Sequence, residues 1–403
     1  MTTTPQPPDE RPGEELSPAT LAVRGGEDAA RAHRATQVPI VYSAAFGYED
    51  VDTWVDAALG RAQGHIYSRN TNPTVAAFEE KVRILEGAEA STSFSTGMAA
   101  VSNTLFALVA PGDRVVSVKD TYGGTNQLFV DFLPRIGVEV ELCDTTDFEQ
   151  IEAAIAKGCR LVYLESPTNP TLKVMDLARL SAAAHEVGAL VVADNTFATP
   201  INQNPLALGT DLVLHSATKF LGGHADALGG VLCGSAGLIK TVYHYREITG
   251  ASLDPMAAYL FVRSLKTLAL RVRQQNENAM TIARWLQDQP EVDAVNYPGL
   301  ETHVHHDVAA RQMRGYGGML SFSLRGGFEA VKRVLPQLRL AHLAANLGAV
   351  ETLAGVPATT SHVECTPEER AAMGIPEGLI RYSVGIEDAG DLIADLEQAL
   401  TVA

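Results

Sequence analysis

The stretch ALVVADNTFATPINQNPLALGTDLVLHSATKFLGG, residues 189–223, decides the architecture. It holds two short apolar runs, ALVVAD at 189–194 and DLVLHSA at 211–217, each closing on polar residues. Both are β-branched and short, which reads as buried strand. Working outward, runs of the same kind recur at RVVSV (114–118), VEVEL (138–142) and RLVYLES (160–166). Helical patterns fall between most of them, as in Leu177–Val187. Alternating buried strands and helices predict βαβ units and a large, mainly parallel α/β sheet domain with helices on both faces. In such a sheet, ligands gather beyond the carboxyl ends of the strands.

Upstream, Phe78, Val82 and Leu85 recur at helical spacing and predict a helix over Thr74–Leu85, with Pro73 in its first turn. VPIVYSAAF (38–46) reads as an extended piece. Downstream, a long helical stretch over Pro255–Gln287 leads to GGMLSFSL (317–324), a helix near 328–335, IRYSVGIE (380–387) and a last helix near 388–400. These form a smaller C-terminal α/β domain. The expected division is a polar, proline-rich disordered arm over 1–18, an N-terminal segment over 19–70, the large domain over 71–265 and the small one over 266–403.

The 403 residues, 46% hydrophobic and 20% charged, suit a globular protein with a sizeable core. A formal net charge of −17 argues against nucleic acid or an anionic membrane as partner. No basic leader precedes an apolar run and no stretch is long enough to span a bilayer, so cytoplasm is expected. Cys143, Cys159, Cys233 and Cys365 form no C-x-x-C pair and read as free thiols.

Chemistry concentrates where the opening stretch ends. Lys219 follows Ser216 and Thr218, whose hydroxyls could meet a phosphate, and precedes Gly222-Gly223, which lets backbone come close. A lysine at a strand end is ordinarily a solvated cap. Beside a phosphate site, however, its amine can form a Schiff base with an aldehyde, as pyridoxal 5'-phosphate (PLP) requires. Asp194 closes the other strand; it is either a helix cap or the carboxylate that keeps the PLP ring nitrogen protonated. Ser95-Thr96-Gly97-Met98 lies between an expected strand, ASTSFS, and an expected helix, where free N–H groups favour a phosphate.

With YSRNTNPT (67–74), FSTGMAA (94–100), DTYGGTN (120–126), ESPTNP (165–170), DNTFATP (194–200), HSATKFLGGHAD (215–226), NLGAVETLAGVPATTSH (346–362) and IRYSVGIED (380–388) in this order, the chain resembles the Cys/Met-metabolism (trans-sulfuration) family of fold-type-I PLP enzymes. That family includes cystathionine γ-synthase, cystathionine γ-lyase, methionine γ-lyase and O-acetylhomoserine sulfhydrylase. The resemblance implies a role for each matching position. Lys219 would carry the cofactor and shuttle protons, and Asp194 would pair with the ring nitrogen. Gly97, Met98, Ser216 and Thr218 would hold the phosphate, with Tyr67 and Arg69 reaching it from a neighbouring subunit. Tyr122 would stack on the ring and serve as acid or base toward the leaving group, and Asn169 would sit near the ring hydroxyl. Arg381 would clamp the substrate carboxylate, a task suited to its two-pronged guanidinium. Asn346 and Tyr67 would also face the substrate. The resemblance further implies a homotetramer, a dimer of dimers with shared active sites.

Several positions depart from the family pattern. Asn346 replaces the usual serine, Ala225 a commoner serine in the lysine motif, and Gly124 the cysteine of methionine γ-lyase proper. Ile66 and Ala345 stand where cystathionine-processing members carry glutamates. Losing two carboxylates that would face a distal ammonium favours a smaller or less polar substrate side chain. The implied activity is γ-elimination from a small sulfur amino acid of the methionine, homocysteine or cystathionine type, giving a 2-oxoacid and ammonia. The alternatives are γ-replacement, as in O-acetylhomoserine sulfhydrylase or cystathionine γ-synthase, and elimination of a non-sulfur leaving group. His303, His305 and His306 read as a surface loop rather than a metal site, and Tyr243 and Tyr245 as packing and interface residues.

Overall fold

Strand alternation sets the frame of the larger domain. In the computed structural model, which describes residues 16–26, 35–360, 363, 366–372 and 374–403, seven strands share one sheet. They are β1 (Ala90–Phe94), β2 (Arg114–Val118), β3 (Glu139–Cys143), β4 (Leu161–Glu165), β5 (Leu190–Asp194), β6 (Leu212–Ser216) and β7 (Gly230–Gly234). Their order is β1-β7-β6-β5-β4-β2-β3. Strands β6, β5, β4, β2 and β3 run parallel, while β7 is antiparallel to both of its neighbours.

Successive side chains point to opposite faces, and both faces are covered. Val162 and Leu164 on β4, with Val191 and Ala193 on β5, pack against Ile151, Ile155 and Leu180 from helices Phe148–Ala156 and Leu177–Glu186. Leu161 and Tyr163 on β4, Val192 on β5 and Leu214 on β6 pack on the other face with Leu105 and Phe129. This burial on both sides is why the runs are continuously apolar. Counting on in steps of two puts Glu165, Asp194 and Ser216 on that second face, at the carboxyl edge. The helix over Gly97–Leu108, which carries Leu105, covers the same face.

The second sheet comprises β8 (Val292–Asn296), β9 (Met319–Leu324), β10 (His342–Leu343), β11 (Leu353–Gly355) and β12 (Leu379–Ser383), in the order β10-β11-β12-β9-β8. Only β10 and β11 are parallel. Phe322, Ile380, Tyr382 and Leu396 are fully buried in its core. Each such side chain contributes roughly 1.5–3 kcal/mol of hydrophobic stabilisation. The 20-residue helix Leu268–Gln287 threads both cores: Val272 packs into the large domain, and Ile282 and Leu286 into the small one.

Local readings depart from the structure in four places. The extended piece at 38–46 joins no ladder apart from one bridge between Ala45 and Tyr67. Side chains satisfy its backbone instead, with Asn72 donating to the Val41 carbonyl and Thr74 accepting from the Val41 N–H. The stretch Pro255–Gln287 is two helices, Pro255–Leu265 and Leu268–Gln287, with Thr267 off helical geometry at φ −106° and ψ 1°. Most of the expected arm lies outside the described residues, but Ser17 caps a helix over Pro18–Arg24. Lastly, His303 is buried, with its ring nitrogen 3.3 Å from the Thr171 carbonyl. His305 and His306 likewise meet the carbonyls of Val174 and Pro298. Burial holds the His303 imidazole down to about 4, so it is neutral near pH 7.

Candidate active site

A cavity of about 300 Å³ opens at the carboxyl edge of the parallel strands. Asp194 closes β5 and Ser216 closes β6, so the alternation described above delivers both to this cavity. Thr218 and Lys219 follow at once. Thr96 caps the helix Gly97–Leu108 by accepting the Ala99 N–H at 2.9 Å. Gly97 and Met98, in its first turn, line the cavity, and N–H groups there have no acceptor within the helix. Glycine is required at 97 because a β-carbon would stand 2.7 Å from the Ser216 side chain. The Thr218 hydroxyl donates to the Gly229 carbonyl at 3.3 Å, which fixes the turn that presents Lys219.

The Asp194 carboxyl accepts from the backbone and hydroxyl of Thr196 at 3.0 and 2.5 Å, and from the Tyr163 hydroxyl at 3.3 Å. Burial nevertheless pushes its proton affinity above the usual carboxylate range. A cationic N–H placed in the cavity would relieve that cost. The Lys219 amine donates to Asn346 Oδ1 at 2.7 Å. Burial, followed by the charge of Arg381, brings its pKa down to about 8. A useful fraction is therefore the neutral, nucleophilic amine near physiological pH.

Arg381 enters from β12 of the smaller domain and is buried. Its guanidinium donates to Asn169 Oδ1 at 3.2 Å and to the Asn346 carbonyl at 3.3 Å. No carboxylate pairs with it among the described residues, and burial lowers its pKa to about 10. A buried cation held by neutral acceptors at a cavity wall is built to receive an anion. Tyr122, 43% exposed, stands at the cavity mouth. Gly124 lets Met98 come close to it, since a β-carbon there would lie 2.9 Å from both Met98 Sδ and the Tyr122 ring.

The cavity therefore gathers Gly97, Met98, Tyr122, Asn169, Asp194 and Ser216, together with Thr218, Lys219 and Arg381. Asn346 joins them through Lys219. Tyr67 and Arg69 do not line it. They lie on an exposed surface of the same chain, with the Arg69 guanidinium 5.5 Å above the Tyr67 ring. Ala345 lines the cavity, whereas Ile66 lies in a different groove. Sequence reasoning missed Glu165, a buried cavity residue whose carboxyl accepts the N–H groups of Tyr122 and Asn169. The signal was present, since Glu165 closes an apolar strand as Asp194 does. The donor set fits PLP: backbone N–H groups and hydroxyls for a phosphate, an amine for the aldehyde, a buried carboxylate for the ring nitrogen and a tyrosine at the ring's flank.

Comparison with known proteins agrees with that fit. The family described as Cys/Met metabolism PLP-dependent enzyme matches residues 19–401. An L-methionine gamma-lyase from Fusobacterium nucleatum subsp. nucleatum is 44% identical over 366 residues, covering 90% of this chain and 93% of that protein. A cystathionine gamma-lyase from Bacillus subtilis is 42% identical, covering 94% and 98%. The crystal structure of a cystathionine gamma synthase from Xanthomonas oryzae pv. oryzae in complex with cystathionine superposes with a TM-score of 0.92 at 40% identity, over 96% of this chain and 99% of that one.

Proposed function

The chain belongs to the Cys/Met metabolism family of PLP-dependent enzymes, and from that premise we propose that it is a carbon–sulfur γ-lyase. Its substrate is a small sulfur amino acid of the methionine or homocysteine type, and its products are a 2-oxoacid, ammonia and a thiol (from methionine) or hydrogen sulfide (from homocysteine). When bound, PLP supplies an electron sink that acidifies the substrate's Cα–H. Everything else falls to the chain's own residues.

Ser216, Thr218 and the first-turn N–H groups at Gly97 and Met98 hold the phosphate, and Asp194 keeps the proton on the ring nitrogen. Asn169 sits by the ring hydroxyl. Tyr67 and Arg69 complete the phosphate site of an adjacent copy in a homo-oligomer, which accounts for two such side chains lying exposed and outside their own cavity. Arg381 grips the α-carboxylate, which orients Cα–H toward Lys219. The Lys219 amine takes the proton from Cα, gives it up again, and in its neutral form takes one from Cβ, a shuttle for which a pKa of about 8 is well matched. Tyr122 delivers a proton to the departing sulfur at Cγ.

The observation that carries the choice of substrate is the apolar part of the cavity wall. Ala345, Leu347 and Leu228 line it and offer a distal ammonium no counter-charge, while suiting a thioether or thiol. The likeness to a cystathionine gamma synthase favours a second reading, γ-replacement, in which the leaving group departs from Cγ in the same way and a thiol then adds to Cγ, giving up its proton. A panel assay separates the two. Methionine, homocysteine, cystathionine, cysteine and O-acetylhomoserine are each supplied with and without added thiol, and 2-oxoacid, ammonia and thioether are measured. Oxoacid from methionine or homocysteine without thiol is the expected result. Thioether formed only when O-acetylhomoserine and thiol are both present would replace the lyase reading with the transferase one.

A further inference from the structure

Three carboxyl groups stand side by side where the central strands end: Asp120 just beyond β2, Glu165 on β4 and Asp194 on β5, with Glu165 and Asp194 paired in register. The Asp120 carboxylate is matched by the Lys173 ammonium at 3.1 Å and the Thr168 hydroxyl at 3.3 Å. Asp194 lines the cavity and is the carboxylate that would pair with the cofactor ring nitrogen. Glu165 has neither arrangement. It is 5% exposed and lines the cavity, yet no cation pairs with it among the described residues. Its two oxygens are instead divided between two backbone donors. Oε2 accepts the Tyr122 N–H at 2.8 Å and Oε1 accepts the Asn169 N–H at 3.1 Å.

These donors lie on different loops, one after β2 and the other after β4. The Asn169 side chain in turn accepts from Arg381 at 3.2 Å. One carboxyl therefore ties the proton-donating tyrosine to the residue that braces the carboxylate clamp. We propose that Glu165 is a positioning residue for the elimination, a splint that fixes Tyr122 relative to Asn169 and Arg381. Satisfying either N–H by itself would need only a hydroxyl or an amide, and burying an acid beside a second one is costly. What the carboxyl adds is two oxygens on one short stem, one for each loop's N–H, which hold both loops at once. Tyr122 sits at an exposed mouth, and no hydrogen bond holds its ring among the described residues, so its placement rests on its backbone. Displacing a reacting group by about 1 Å can cost on the order of 10²-fold in rate.

This inference rests on the reading of Tyr122 as the acid, and the experiment separates the two. The holoenzymes carrying Glu165→Gln, Tyr122→Phe and both changes are compared for kcat and KM, and for the visible circular dichroism of bound PLP. An amide can accept only one of the two N–H groups, so Glu165→Gln should lower kcat by about 10²-fold with little change in KM. The same change added to Tyr122→Phe should cost far less, because the positioned group is already gone. Turnover within about twofold of wild type in Glu165→Gln, or losses that simply multiply in the double variant, would overturn the proposal. If Glu165→Gln does not fold, Glu165→Asp, whose shorter stem cannot span both donors, is judged by the same criteria. If Tyr122→Phe keeps wild-type turnover, the role given to Tyr122 fails and the splint is decided by the circular dichroism. An altered cofactor signal in Glu165→Gln then supports it, and an unaltered signal overturns it.

Discussion

Replacing Arg381 by lysine tests the carboxylate clamp at constant charge. The guanidinium gives one N–H to Asn169 Oδ1 and another to the Asn346 carbonyl, at 3.2 and 3.3 Å, and keeps further donors for a ligand. A lysine ammonium is a compact point charge on a flexible stem and cannot reproduce that fork. At least one buried acceptor loses its partner, which costs about 1–3 kcal/mol. One of two charge-assisted bonds to the substrate is also lost, about 1.5–3 kcal/mol more. The first cost is already present in the free enzyme and lowers stability, so the second alone predicts a fall in kcat/KM of roughly 10- to 10²-fold, at about 1.4 kcal/mol per decade. The assay is 2-oxoacid release from methionine or homocysteine, with PLP content checked by absorbance. A decarboxylated analogue, 3-(methylthio)propylamine, supplies the control, since its inhibition constant should barely differ between the two enzymes. A loss below about threefold in kcat/KM, or an analogue weakened as much as the amino acid, would refute the clamp.

Other consequences can be checked with the same preparations. Lys219→Ala should abolish the visible absorbance of the bound cofactor and essentially all turnover; persistent turnover would contradict the role of the amine. Arg69→Ala should weaken PLP retention, and oligomers mixed from Arg69→Ala and Lys219→Ala subunits should recover turnover that neither parent reaches. A strictly monomeric, fully active protein would dismiss the shared site. Capture of PLP by the apoenzyme should accelerate as pH rises through about 8, because burial and Arg381 depress the Lys219 pKa and the neutral amine is the nucleophile. A midpoint close to the ordinary lysine value, followed by stopped-flow absorbance, would contradict that environment. Ala345→Glu should raise kcat/KM for cystathionine relative to methionine by supplying a counter-charge in the wall, and an unchanged ratio would place specificity elsewhere.

Most of the large sheet was legible in advance, for a local reason. Strands buried on both faces are apolar along most of their length, so RVVSV, LVYLE and LVVAD stand out without knowledge of their neighbours. The extended piece at 38–46 was misread because side chains of Asn72 and Thr74, more than thirty positions on, satisfy a backbone that local pattern assigned to a strand. β7 went unread because GVLCG is short and glycine-rich. Its glycines have a tertiary cause: a β-carbon at Gly230 would stand 2.4 Å from the Thr96 carbonyl oxygen, next to the helix that faces the cavity.

The same division runs through the active site. Order along the chain determined which residue types end which strands, and hence that Asp194, Ser216, Thr218 and Lys219 would meet at one edge of one sheet. Period-two alternation needs only neighbouring residues, and it carried Asp194 and Ser216 to the same face, with Thr218 and Lys219 in the turn that follows at once. What the tertiary structure alone decided are contacts between segments with no periodic relation. Lys219 meets Asn346, 127 positions away, and Arg381 meets Asn169, 212 positions away, because the smaller domain docks with β12 toward the cavity. Leu172, Phe197 and Phe220 of the larger domain pack with Met319 and Leu347 of the smaller one at that junction, and their packing depends on shape in three dimensions. The low pKa of Lys219 and the buried charge of Arg381 follow from this closure, since desolvation arises only when distant surfaces come together.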